Sequence, residues 1–231
     1  MKLSILMPVF NEVGVLDAAV KRVLDVPYPV ETELIIVDDG STDGTRELYD
    51  RWLDEPRVRI HLKDRNEGKG SAIRQAAALA DGDYVIICDA DLEYSPEEIP
   101  MLLGPVLKGE ASVVYGTRTF GSHNSYSYVY VLGNRAVTTT ANVLFNCYLS
   151  DLETCFKLLP LELYRSLDVL EKGFGMEAEI TGKLLRRGIR PYEVPISYNA
   201  RTRAQGKKLT WRDGVKAVFI LTQQRFTVRK R

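Results

Sequence analysis

The feature that most constrains the fold of this chain is an alternation. Through the first half, short runs rich in β-branched residues take turns with stretches of helical spacing. SILMPV (4–9), ELIIVD (33–38), RVRIHL (57–62), YVIIC (84–88) and SVVYG (112–116) read as strands. Between them, Val13 to Leu24, Thr42 to Leu53, Lys69 to Ala80 and Pro96 to Leu107 have helical spacing, with Ser41 or Thr42 and the Ser95-Pro96 pair as N-terminal caps. Strands that alternate with helices imply an α/β fold, a mostly parallel central sheet with helices on both faces. Ligands of such sheets bind beyond the carboxyl ends of the strands, so chemistry is expected just after each apolar run.

The second half is less regular. A loop over 120–128 leads into a helix to about Asn146. TCFKLLP (154–160) and RPYEVPISY (190–198) read as strands, with helices near 161–170 and 176–187 between them. A polar, basic link over 199–208 precedes a last helix from Thr210 to about Phe226. No repeat or low-complexity tract interrupts the chain, so residues 1–209 read as the main domain and 210–231 as a basic, amphipathic extension of it. The 231 residues are 45% hydrophobic, enough for one sizeable core, yet no stretch reaches the ~20 apolar residues that cross a bilayer. The opening MKLSILMPVFNE is broken by Pro8, Asn11 and Glu12 too early for a secretory signal, so the expected location is cytoplasmic. Cys88, Cys147 and Cys155 lack metal-ligand spacing and read as reduced, small hydrophobic residues. His61 and His123 also lack ligand-spaced partners, and read as a strand residue and a loop residue.

Lys plus Arg equals Asp plus Glu at 31 each, but the charge is unevenly spread. Residues 201–231 hold ten Lys or Arg against one acid, Asp213, so this segment carries +9 and the remainder −9. Such a segment is made to meet an anion: nucleic acid, a phosphorylated ligand or an anionic membrane surface. The aromatic platforms or recognition motif that nucleic acid requires are missing, so no nucleic-acid partner is expected.

The strand ends are uniformly polar. Pro8-Val-Phe-Asn-Glu12 closes the first, Asp38-Asp39-Gly40-Ser41-Thr42-Asp43-Gly44 the second, Asn66 to Gly70 follows the third and Asp89-Ala90-Asp91 the fourth. Neighbouring carboxylates repel each other and lose hydration unless a cation compensates, so Asp89 and Asp91 suggest a bound metal. Hard oxygen ligands select Mg²⁺ or Mn²⁺, and Mg²⁺ takes one or two protein carboxylates together with phosphate oxygens. GxGxxG and GxxxxGK[ST] are absent, which excludes a dinucleotide fingerprint and a P-loop.

MPVFNE, IIVDDGSTDGT, NEGKGSAIRQA, DYVIICDADLE, YGTR and DLETCFKLLP with EVPISYNARTRAQGKK, in that order, resemble the family 2 inverting glycosyltransferases of the GT-A fold. The likeness is closer to dolichol-phosphate mannose synthases and related polyprenyl-phosphate sugar synthases, and covers essentially the whole chain. It implies transfer of a hexose, mannose or glucose, from GDP- or UDP-hexose to polyprenyl phosphate, with Mg²⁺ or Mn²⁺, by an enzyme peripheral at the cytoplasmic membrane face. It further implies that Pro8, Phe10 and Glu12 line the nucleotide pocket, that Asp39 binds the nucleoside, and that Lys69 and Ala90 lie along the nucleotide-sugar. Asp89 and Asp91 would hold the ion on the donor diphosphate. Glu93 stands where mannose synthases usually have Gln and is a third candidate for the ion. Arg118 and Arg135 match arginines near the donor or acceptor phosphates, where a planar fork suits phosphate oxygens. Arg201, Lys207 and Lys208 match the basic loop that closes over diphosphate and acceptor, which gives the basic segment a physical reason.

Charge also frames the reaction. A lipid monophosphate, with a second pKa near ~6, is largely dianionic at neutral pH and needs little base help. A carbohydrate hydroxyl would need a carboxylate to remove its proton. The resemblance puts Asp151 near the reacting centre, where it would position acceptor or sugar; Glu177 and Glu179 are the other candidates, or else the solvated face of a helix. Along the last helix Val215, Val218, Phe219, Leu221 and Thr222 alternate with Arg212, Lys216 and Arg225, a pattern suited either to an anionic membrane interface or to core packing. SYSYVYV (125–131), with its tyrosines, fits lipid contact or a packed helix start. The rival readings are a transferase acting on a carbohydrate hydroxyl and a non-catalytic nucleotide- or membrane-binding module.

Overall fold

The computed structural model describes residues 1–201 and 210–226. Seven strands form one sheet: β1 (Lys2–Val9), β2 (Glu31–Asp38), β3 (Val58–Leu62), β4 (Tyr84–Ile87), β5 (Val114–Thr117), β6 (Lys157–Pro160) and β7 (Tyr192–Pro195), in the spatial order β3-β2-β1-β4-β6-β5-β7. Every pairing is parallel except those of β6, which runs antiparallel to both β4 and β5. The mostly parallel α/β sheet expected from the alternation is the one observed. Helices α1 (Leu16–Asp25), α2 (Lys69–Leu79) and α3 (Ile99–Leu107) join the early strands; α4 (Tyr128–Phe145), α5 (Leu161–Ser166) and α6 (Met176–Arg186) follow β5 and β6. In β1 and β2, Leu3, Ile5, Leu6, Met7 and Leu34 to Val37 are at most 1% exposed. Strands covered on both faces read as continuous apolar runs, which is why the sequence shows them so clearly.

One predicted helix is shorter than expected. Thr42 to Leu53 contains only a 3₁₀ helix over Arg46–Trp52, because DDGSTDG is consumed as a staple between strand ends. The Asp38 carboxylate accepts the N–H groups of Gly40 (3.1 Å) and Ser41 (2.8 Å), the Arg46 Nε (3.0 Å) and the Tyr49 hydroxyl (2.9 Å). Ser41 and Thr42 therefore cap no helix. The Ser41 Oγ accepts the Asn11 N–H (2.9 Å) and the Thr42 N–H donates to Asn11 Oδ1 (2.8 Å), fixing the end of β1 against the end of β2. Gly40 sits at φ +83°, and a Cβ there would lie 2.5 Å from the Arg65 carbonyl carbon and 2.6 Å from the Asn66 nitrogen. Left-handed backbone alone costs a side chain roughly 1–2 kcal/mol, and here backbone must also move. Gly40→Ala is expected to lower Tm by about 4–8 °C, at about 2–4 °C per kcal/mol for a chain of this size. Gly14→Ala, where a Cβ meets nothing within 4 Å, should leave the melting curve unchanged.

The last helix, α7 (Trp211–Phe226), docks on α4 and α6 through a second apolar cluster: Ala217, Ile220 and Leu221 meet Val137, Ala141, Ala178 and Leu185. Leu221 is thus core. Val215 and Phe219 are 60% and 67% exposed, as is Trp211 at 73%, so the same helix carries an outward apolar stripe. No described helix is long and apolar enough to cross a membrane.

Candidate active site

A cavity of about 820 Å³ opens beyond the carboxyl ends of β1, β2, β4 and β5. Its first wall is Pro8 at the end of β1, Phe10 and Glu12 just after it, and Asp39 just after β2. Asp39 is buried and ties in the loop after β3: it accepts Lys63 Nζ (2.6 Å) and the N–H groups of Gly68 (2.7 Å) and Glu67 (3.1 Å). Gly68 permits this at φ +101°, in a spot where a Cβ would strike the Lys172 carbonyl oxygen at 2.3 Å.

The second wall is Asp89-Ala90-Asp91 after β4. Lys69 Nζ lies 2.8 Å from Asp89 Oδ2 and 3.0 Å from Glu177 Oε1, and the Cys155 thiol lies 2.6 Å from that same Asp89 oxygen. Although burial disfavours its charge, Asp89, Cys155 and Glu177 hold the Lys69 ammonium well above the ordinary lysine range. Asp89 Oδ1 is buried without a hydrogen-bond partner. Burial, then repulsion from Asp89 and Glu93, pushes Asp91 up to about 7, even with Arg201 NH2 at 3.3 Å. Two repelling carboxylates with an orphaned buried oxygen fit a divalent cation. Among the described residues no three His, Cys, Asp or Glu converge on one such point. Glu93 instead accepts the Tyr198 hydroxyl and the Arg201 N–H (2.8 Å), while Arg201 NH1 reaches Glu12 Oε2 (3.0 Å) and closes the first wall onto the second. A dyad plus phosphate oxygens is the coordination Mg²⁺ commonly accepts.

The third wall follows β5. Arg118 forks onto Asp151, with Nε to Oδ2 and NH2 to Oδ1 both 2.7 Å; the Arg118 N–H (3.0 Å) and Asn134 Nδ2 (2.9 Å) add to the same carboxylate. Burial alone would raise Asp151, but the Arg118 charge and these bonds hold it below the usual carboxylate range. A carboxylate so held is a weak base. The Arg118 guanidinium also stacks on the Tyr198 ring, 4.9 Å from its centre. Arg135 lines the cavity from α4, whose outer side leaves Tyr128, Val129 and Leu132 exposed.

Thirteen of the expected positions therefore meet in one cavity, from Pro8 to Arg201, and Glu177 joins them. Neither Glu177 nor Glu179 is a solvated helix face: each is 5% exposed. Glu179 lies away from the cavity, paired with Lys183 (2.6 Å) and accepting the N–H groups of Leu170 and Glu171, where it fixes the loop before α6. Lys207 and Lys208 lie outside the described residues. Cys155, read from the sequence as a filler, is a contact of Asp89 instead, and His123 lines the cavity mouth beside Tyr126, ring centres 5.5 Å apart. Glu153 was not singled out. Its signal was a period of two in DLETCF: Asp151, Glu153 and Cys155 line the cavity, whereas Leu152, Thr154 and Phe156 are fully buried.

The sequence model of glycosyl transferase family 2 matches residues 4–167. This chain belongs to glycosyl transferase family 2. That membership bears out the expectation of a sugar-transferring enzyme, and its relatives bear out the likeness to polyprenyl-phosphate sugar synthases. The undecaprenyl-phosphate mannosyltransferase of Micrococcus luteus is 27% identical over 217 residues, 90% of this chain and 87% of its own length. The undecaprenyl-phosphate 4-deoxy-4-formamido-L-arabinose transferase of Proteus mirabilis is 36% identical over 129 residues, which are 54% of this chain but only 39% of that protein. Among solved structures, glucosyl-3-phosphoglycerate synthase of Mycobacterium tuberculosis, crystallised with Mn²⁺, UDP and glucosyl-3-phosphoglycerate, superposes with a TM-score of 0.75 at 20% identity, over 99% of this chain and 81% of its own. The fold is the GT-A architecture.

Proposed function

We propose that this family 2 glycosyltransferase transfers a hexose, mannose or glucose, with inversion from GDP- or UDP-hexose to a polyprenyl phosphate at a membrane surface. One observation carries the reading: a continuous cavity joins an acidic dyad with an unpartnered buried oxygen to an arginine-bearing wall under the exposed apolar residues of α4. The donor's nucleoside suits the first wall, an apolar slot of Pro8 and Phe10 with Glu12 and Asp39 for polar contacts. Asp89 and Asp91 would hold Mg²⁺ or Mn²⁺, which when bound supplies charge stabilisation for the departing diphosphate. Arg201 adds a cation to the same end, a part the family resemblance also gives Lys207 and Lys208, which lie outside the described residues. The acceptor phosphate enters beside Arg118 and Arg135, and its tail leaves along Tyr128, Val129 and Leu132, with the outward stripe of α7 as a further lipid contact. The full-length likeness to an undecaprenyl-phosphate mannosyltransferase supports the same acceptor class.

Incubation with radiolabelled GDP-mannose, then UDP-glucose, with a polyprenyl phosphate and Mn²⁺ should move label into the organic phase for one donor, and chelator should stop it. Label that stays aqueous with every donor rules the acceptor out.

A further inference from the structure

Glu153 is held at its backbone and free at its carboxyl. Lys157 Nζ, fully buried, donates to the carbonyl oxygens of Leu152 (2.6 Å) and Thr154 (2.9 Å), the residues on either side of it. Leu152 and Thr154 face the core, so the half-buried Glu153 side chain is turned into the cavity. Its neighbours along that wall are committed: Asp151 to Arg118 and Cys155 to Asp89. The Glu153 carboxyl itself has no hydrogen bond or ion pair among the described residues.

We infer that Glu153 is a catalytic residue on the acceptor side, whose carboxylate takes the proton of the acceptor phosphate as a phosphate oxygen attacks the sugar. The inference rests on the polyprenyl-phosphate reading above. A bond forms between phosphate oxygen and anomeric carbon, and the bond from that carbon to the diphosphate oxygen breaks with its electron pair on the diphosphate. The product is a phosphodiester, which has no second ionisation and cannot keep the proton. Glu153 receives it and releases it to water when the product leaves. A bare dianion beside a bare carboxylate would be repelled, so the productive complex holds one proton between the two groups.

The surroundings suit that task. Burial first, then the Glu177 and Asp151 charges, push Glu153 up to about 7 against the opposing pull of Arg118 and Lys157. Arg118 is the main opposing charge, but its fork is held by Asp151 and makes no bond to Glu153. A phosphate monoester has its second pKa near ~6, so the proton is close to evenly matched between donor and acceptor.

The test is the pH dependence of kcat/KM for the polyprenyl phosphate, from about pH 6 to about pH 9, in the wild-type protein, E153Q and E153D. The wild type should fall about tenfold per pH unit above roughly pH 7, because above it the one proton that Glu153 and the phosphate must share is lost. E153Q should lose this alkaline limb and stay level, and E153D, which keeps a carboxyl, should recover it. Burial lowers Lys157 to about 8, so it titrates nearby, but it is present in all three proteins and only the limb that differs belongs to Glu153. An alkaline limb unchanged in E153Q overturns the inference while lipid-linked product still forms. If E153Q instead loses about 10²–10⁴-fold at every pH and the wild type gains activity as pH rises, Glu153 is the base for a hydroxyl acceptor and both readings fall. No lipid-linked product from the wild type sinks the acceptor reading, and this inference with it. Melting curves of the variants separate loss of fold from loss of chemistry.

Discussion

Asp91→Ala is expected to cut sugar transfer by about three orders of magnitude or more, a barrier change of roughly 4 kcal/mol. Charge grows on the departing diphosphate, and the dyad is where a cation for it would sit. Asp89 cannot replace its neighbour, because one of its oxygens is already occupied by Lys69 and Cys155. The loss should not reflect misfolding. Without metal, Asp91 is repelled by Asp89 and Glu93 and is poorly hydrated, so Asp91→Asn should melt at the same temperature as the wild type or higher in chelator. Added Mn²⁺ should reverse the order. At ~100-fold its dissociation constant an ion stabilises by about 2.7 kcal/mol, and the variant should miss most of this shift. Equal Mn²⁺ shifts in both proteins, or turnover within tenfold of wild type, would remove the dyad from the mechanism.

Legibility followed the physics of each element. β1 and β2 are buried on both faces, and their apolar runs stood out against polar ends. The three acids after β4 were legible for the opposite reason, since strands seldom end in charges that repel. β6 was read as a strand, but its direction was not, because local pattern does not encode whether a neighbour runs parallel or antiparallel. Thr42 to Leu53 misled because Ser41 and Thr42 have capping chemistry, and tertiary bonds to Asn11 claimed it instead. Glu177 and Glu179 misled in a related way. Helical spacing placed them, but only the folded chain shows that Lys69 and Lys183 compensate their burial. Glu153 escaped because the period of two in DLETCF gives its direction and not its role; that comes from what Asp151 and Cys155 already hold.

Asp151→Ala is expected to cost about 3–5 kcal/mol of stability as well as activity, because it leaves the Arg118 guanidinium nearly buried and unpaired. That corresponds to a drop in Tm on the order of 10 °C. Arg118→Ala should cost a similar amount, and pairing Arg118→Met with Asp151→Leu should cost far less than the sum of the two truncations, since a buried pair replaced by apolar groups is often nearly neutral. The pH dependence has a definite sign. The folded pKa of Asp151 is depressed, so its contribution is present above the unfolded value of about 3.9 and disappears as pH falls through the folded one. The gap between wild type and Asp151→Ala should therefore stay constant from neutral pH down to about 4 and close only below it. Activity is the sharper reading. If Asp151 acts by orienting Arg118 toward the acceptor phosphate, Arg118→Lys, which keeps the charge and loses the fork, should raise the acceptor KM with little change in kcat at saturation. Were Asp151 the proton acceptor, Asp151→Asn would lose kcat at unchanged KM, and the assignment of proton transfer to Glu153 could not stand beside that result.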